Sequence, residues 1–209
     1  VKSPGSRPVI GSGTAGVPTF LSDPCVIKDE SGYHAFFSVY YLKHKEHGKY
    51  WYSYDPARES EYDMRDGMGG IGYAHSSDRG LTWTYRRTPL LTSGPEAWQD
   101  QAVETAHVIK VGDRLLLFYC AWGEKLRYRY QIGVAEIKLS GKPLETLFLD
   151  DSIVMTKRQE PILPIQTNKP HHTNNTQEPT AILRDGEIDL YFVGLTLSKP
   201  AEAIGGENR

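Results

Sequence analysis

Short apolar runs separated by polar, turn-forming positions set the rhythm of this chain. Residues 33–41, 72–75, 114–119, 131–136 and 188–193 are rich in aromatic, aliphatic and β-branched side chains and are bounded by Gly, Asp, Ser and Pro. Half-buried strands and their turns read this way. No stretch offers an apolar stripe at helical spacing with start and stop signals. Regularly spaced strands without helices predict an all-β domain: a sandwich, a barrel or a propeller.

An internal repeat chooses the propeller. Residues 104–113 and 178–187 share an acid, three small or polar residues, two aliphatics, a base and a turn of glycine and acid, and each copy runs into an aliphatic-aromatic strand. A looser copy begins at Asp23-Pro24 and runs through Gly32 into the strand at Tyr33. The acids recur about every 70 to 80 residues, longer than the ~40–50 of ordinary propeller repeats, and loop insertions account for the excess. The expected blades cover about residues 21–91 and 98–158, with a partial third at 175–209. The first strand of a blade lines the central channel, so acids that open those strands are expected to converge at its mouth.

These residues carry a resemblance. Asp23-Pro24, the Ile-Gly-x-Ala strand at residues 71–74 followed by Ser76-x-Asp78-x-Gly80-x-x-Trp83, and a Glu opening each later blade resemble the five-bladed β-propeller glycosidases. That superfamily comprises glycoside hydrolase families 43 and 32, with arabinanases, xylosidases and fructosidases. The resemblance implies a five-bladed type of propeller, of which about two and a half blades are present. It also implies roles: Asp23 as base or nucleophile, Glu104 as the residue that orients or tunes it, and Glu178 as general acid. Glu104 stands where the family usually has Asp, and Pro179 follows Glu178 directly. The Ser76–Trp83 motif also resembles the Asp-box of sialidases, a turn in which Ser and Asp satisfy backbone donors while Trp83 is expected to be buried between strands. With one copy and no convincing set of three arginines, sialidase ranks below the five-bladed reading.

Glycoside hydrolysis needs one carboxylic acid to protonate the leaving oxygen and one carboxylate as base or nucleophile. Asp23, Glu104 and Glu178 are the candidates; the structural alternative is that they cap strand starts by accepting from backbone N–H groups. The insertion at 43–68 is unusually aromatic and supplies Trp51, Tyr54 and Asp66 as sugar-binding candidates, since rings stack on sugar faces and acids bind hydroxyls. His107, His172 and Asn175 complete the expected subsite. The expected activity is a glycosidase; the alternative is a non-catalytic carbohydrate-binding or structural propeller.

Composition narrows the partners. Lys and Arg (24) nearly balance Asp and Glu (26), and a net charge of −2 gives no field for nucleic acid or an anionic membrane. No apolar run approaches the roughly 18 residues of a membrane span. Charge leaves a neutral or locally read partner, and the resemblance implies an oligo- or polysaccharide, with secreted or periplasmic placement preferred to cytoplasmic. Cys25 and Cys120 lack metal-ligand spacing and are expected to be buried thiols. No cofactor and no metal ligands are expected, a structural calcium ion being compatible with the acids but not called for. The third blade halts after its second strand, so the remaining blades are expected from a longer chain or a partner chain.

Overall fold

The computed structural model describes residues 21–48, 50–51, 61–126, 129–165 and 175–195, without the side chains of residues 50, 51, 62–67 and 126. Three antiparallel sheets follow one another in chain order. In the first, β1 (Leu21–Lys28) pairs with β2 (Tyr33–His44), which also takes β3 (Tyr50–Trp51) and β4 (Tyr62–Ser76); β5 (Thr84–Tyr85) and β6 (Leu91–Thr92) pair with β4. The second runs β7 (Ala102–Val111), β8 (Arg114–Trp122), β9 (Gln131–Lys138) and β10 (Thr156–Lys157) side by side. The third is the hairpin of β11 (Asn175–Arg184) and β12 (Glu187–Leu195). The one described α-helix, α1 (Leu144–Phe148), lies between β9 and β10. Four-stranded meanders stacked in sequence are propeller blades, and the chain is an all-β propeller of about two and a half blades.

Sequence dictates how the sheets stack. β2 is buried on both faces, from His34 and Ala35 through Val39, as a strand between two packed layers must be. The Ile-Gly-x-Ala strands leave their glycines beneath a ring of the neighbouring strand. A Cβ on Gly72 would lie 2.4 Å from the Phe37 ring, and one on Gly133 would lie 2.5 Å from Tyr119. The main core joins the first two sheets through Phe36, Tyr73, Leu90, Val103, Val108, Leu115 and Phe148. A smaller cluster of Phe118, Val134, Ala181 and Leu190 joins the second to the third.

Arg86, 1% exposed, ties sheet one to the connection after α1. Its guanidinium donates to the carbonyls of Thr88, Phe148, Asp150, Asp151 and Ile153. These acceptors are all backbone carbonyls, and the planar fork serves as a multi-point donor to them. In the turn after β4, Asp78 accepts from Ser76, Leu81 and Thr82, and Ser76 accepts from the Gly80 N–H. Trp83 differs from expectation: it is half-buried, donates to the Gly80 carbonyl and packs on the edge of the Phe37 cluster. Cys120 is buried and Cys25 only partly so, and both are free thiols.

Candidate functional site

The innermost strands β1, β7 and β11 each carry a β-bulge near their start. Pairing with the second strand slips between Ser22 and Cys25, between Glu104 and His107, and between Gln177 and Thr180. At every bulge one non-glycine residue adopts a left-handed backbone: Asp23 (φ 50°), Thr105 (φ 53°) and Glu178 (φ 55°). Such conformations cost on the order of 1–3 kcal/mol and persist only where the surroundings enforce them. Bulges of this kind re-aim side chains beside functional sites.

The ladder makes Asp23, Thr105 and Glu178 equivalent, one residue away from the alignment that pairs Glu104 with Glu178. Matching acid to acid obscured this. The tight turns after β7 and β11 are equivalent, with Val111 opposite Arg114 and Arg184 opposite Glu187, and counting back from them by equal distances reaches Thr105 and Glu178. Thr105 is thus the position equivalent to Asp23 and Glu178, which the sequence reading passed over, and Glu104 is its predecessor.

Each later bulge is held by the sheet before it. The Thr105 N–H donates to Ser38 Oγ (2.7 Å), and the Glu178 N–H donates to Cys120 Sγ (3.0 Å). Ser38 and Cys120 are themselves equivalent, lying opposite Ser22 and Glu104 on the second strands. Successive blades are therefore stitched at the bulge residues Thr105 and Glu178. Asp23 Oδ2 accepts from Ser38 Oγ at 3.0 Å and from Ser22 Oγ at 2.9 Å, with Thr105 Oγ1 at 3.5 Å.

Glu104 is half-buried, and Asp23 and Glu178 are exposed. Burial raises the Glu104 pKa above the ordinary carboxylate value, a hydrogen bond from Tyr130 opposes this, and the charge of Asp23 raises it further. The Tyr130 hydroxyl donates to Glu104 Oε2 at 3.0 Å. The Cys120 thiol is pushed up to about 12, first by burial; the Glu178 N–H and Thr105 oppose the rise, and the charges of Glu104 and Glu178 add to it. Asp23 thus acts electrostatically on Glu104 itself, and Glu178 on Cys120 opposite Glu104.

The other expected residues divide. Asn175 Oδ1 accepts from the Tyr130 N–H at 2.8 Å, so it secures the residue that holds Glu104. His107 bonds through Nε2 to the Ala181 carbonyl at 3.0 Å and bridges β7 to β11. Tyr54 and His172 lie outside the described residues, as do the side chains of Trp51 and Asp66. Gly69 was not anticipated: a Cβ there would stand 3.0 Å from Ala102 and 3.8 Å from Glu104 Oε1, so its bareness lets β7 approach β4 beside the acid.

Stacked blades with their inner strands together have the fold of the β-propeller glycoside hydrolases. The chain resembles a family 117 glycoside hydrolase produced by the marine bacterium Zobellia galactanivorans, with a TM-score of 0.55 at 18% identity over 82% of this chain and 47% of that one. It also resembles a structure described as a glycoside hydrolase, with a TM-score of 0.61 at 14% identity over 90% of this chain and 47% of that one. The chain spans about half the length of these two structures. No protein-family model and no curated protein matches it.

Proposed function

We propose that this chain carries the acid-bearing blades of a glycoside hydrolase, with Asp23, Glu104 and Glu178 around one carbohydrate pocket at the propeller axis. The observation that supports it is the repeated bulge. Two of three equivalent left-handed positions hold exposed acids, Asp23 and Glu178, and the third lies next to Glu104. Strain repeated at one level of three blades is more than strand capping requires, because the bulge N–H groups are satisfied by Ser38 and Cys120 and not by the carboxylates.

In this reading Glu178 gives its proton to the glycosidic oxygen as the bond to the anomeric carbon breaks. Asp23 either takes the proton of the attacking water or attacks that carbon itself. A carboxyl separation of ~6.5–9.5 Å would give inversion and ~5–5.5 Å retention. Glu104, held by Tyr130 and through it by Asn175, has its own proton affinity raised by burial and by the charge of Asp23. Trp51, Tyr54, Asp66 and His172 remain proposed sugar contacts from the two insertions, and His107 joins blades.

Further blades form part of this proposal. Ile182, Tyr191, Val193 and Leu195 of the third sheet are 38–53% exposed, an apolar face of the sort that another blade covers. We therefore expect activity only where that face is covered. Hydrolysis of a panel of aryl glycosides and oligosaccharides by the intact natural protein tests the reading. Thr105 in place of an acid at the second bulge favours a sugar-binding, non-catalytic alternative. Retained sugar binding with no hydrolysis of any member of the panel would select it.

A further inference from the structure

A second cluster of ligating side chains lies at the opposite end of β2 from His44, next to the β1–β2 turn. His34 and His75 are directly opposed on β2 and β4, so their side chains leave the same face of the sheet. Their ring centroids are 5.1 Å apart. Glu145 of α1 reaches the pair from the second sheet, and one ligand atom from each of the three lies within 4.8 Å of the others. Asp29 Oδ1 stands 2.9 Å from His34 Nε2. The group borders a cleft of about 1060 Å³ between the two sheets, lined by Asp29, Ser31 and Glu145 among others.

One feature is poorly explained by packing, and a second fixes the geometry. Glu145 Oε2 is buried and has no hydrogen-bond partner among the described residues; an ionised oxygen withdrawn from water without a partner is costly. His34 is fully buried and held at both nitrogens, Nδ1 by the Tyr73 hydroxyl at 2.6 Å and Nε2 by Asp29 Oδ1 at 2.9 Å and Ser31 Oγ at 3.3 Å, while His75 Nε2 meets the Ser31 carbonyl at 3.1 Å. The bond at Nδ1 sets the ring's orientation; when Nδ1 is the donor, Nε2 keeps its lone pair for a metal, and the ion then takes the place of the proton that Nε2 otherwise shares with Asp29.

We propose that His34, His75 and Glu145, with Asp29 as fourth donor, bind a divalent transition-metal ion of the zinc class between the first two sheets. Two imidazoles with carboxylate oxygens suit zinc, which takes nitrogen at ~2.0–2.1 Å and oxygen at ~2.0–2.2 Å in a tetrahedron. Rotations of the side chains close the spread of up to 4.8 Å among His34, His75 and Glu145, with Asp29 joining through its contact with His34, and the ion supplies the charge that Glu145 Oε2 lacks. The site rests on residues other than Asp23, Glu104 and Glu178, and its position joins blade one to blade two. Its role is to fasten those blades.

Titrating the metal-stripped protein with Co²⁺, and following its visible ligand-field absorption, tests this. One ion per chain in a four-coordinate spectrum is expected. Glu145→Gln, which preserves shape, and His75→Ala should each weaken binding by at least about tenfold, and Tyr73→Phe, which only frees the ring, by about 10–100-fold. His47→Ala serves as control for the separate His44, Glu46 and His47 group near the other end of β2; it should change nothing. Zn²⁺ should raise the melting temperature of the parent protein and not that of Glu145→Gln, so a variant of lowered stability still reports. No stoichiometric binding by the parent, or binding indifferent to Glu145→Gln, overturns the proposal.

Discussion

Arg86→Met removes the clamp between the first sheet and the connection after α1, and the structure sets the size of the effect. Five carbonyls lose a donor: Thr88, Phe148, Asp150, Asp151 and Ile153. Each bond to a charged donor contributes about 1.5–3 kcal/mol taken singly. They share one guanidinium and do not add, and the carbonyls nearer the surface regain water. Phe148 is fully buried, and its carbonyl bond is itself buried, so that oxygen is left unpaired. We expect a loss of about 3–5 kcal/mol, the range for removing one member of a buried charged network. For a chain of this size, each kcal/mol corresponds to about 2–4 °C in melting temperature. Arg86→Lys should recover only part, because an ammonium cannot reproduce the fork. Urea unfolding followed by tryptophan fluorescence, with thermal melts, measures both variants. Arg86→Met within about 1 kcal/mol of the parent would refute the reasoning.

Three further outcomes are expected. Glu104 is a carboxylate with a raised folded pKa, so the folded protein holds its proton longer than the unfolded chain. Its contribution therefore falls as pH rises from the unfolded carboxylate value through the raised folded one; Glu104→Gln should flatten stability against pH there, and Tyr130→Phe should extend the window upward. Gly133→Ala brings a methyl to 2.5 Å from Tyr119 and 2.6 Å from Trp98, and overpacking of this kind should cost about 1–3 kcal/mol in urea midpoint analysis. The Cys120 thiol, raised to about 12, should resist alkylation at pH 7 in the folded protein and react at the ordinary rate once unfolded; rapid labelling of the native state contradicts its assigned burial.

Much of the fold was legible because strands announce themselves locally. The aromatic and aliphatic runs of β2, β8 and β12 and the Ile-Gly-x-Ala of β4 and β9 are patterns of neighbouring residues, and the rings over Gly72 and Gly133 explain the glycines. Bulges leave a weaker trace. A left-handed Asp23, Thr105 or Glu178 is ordinary in sequence, and the resemblance of one acid to another moved the alignment by a residue. Arg86 was illegible for a different reason: it binds carbonyls, which every residue carries. The meeting of His34 and His75 with Glu145 depends on cross-strand register and on a five-residue helix too short to show periodicity.

The central claim is that chemistry resides on the acids at the bulges, and Glu178→Gln in the intact natural protein tests it most directly. Turnover of a hydrolysed glycoside and affinity for its unhydrolysed analogue are to be measured on the same preparation. A general acid acting in the transition state contributes about 10²–10⁴-fold, so the variant should lose that much in kcat and keep its sugar affinity. Turnover equal to the parent's would contradict the account.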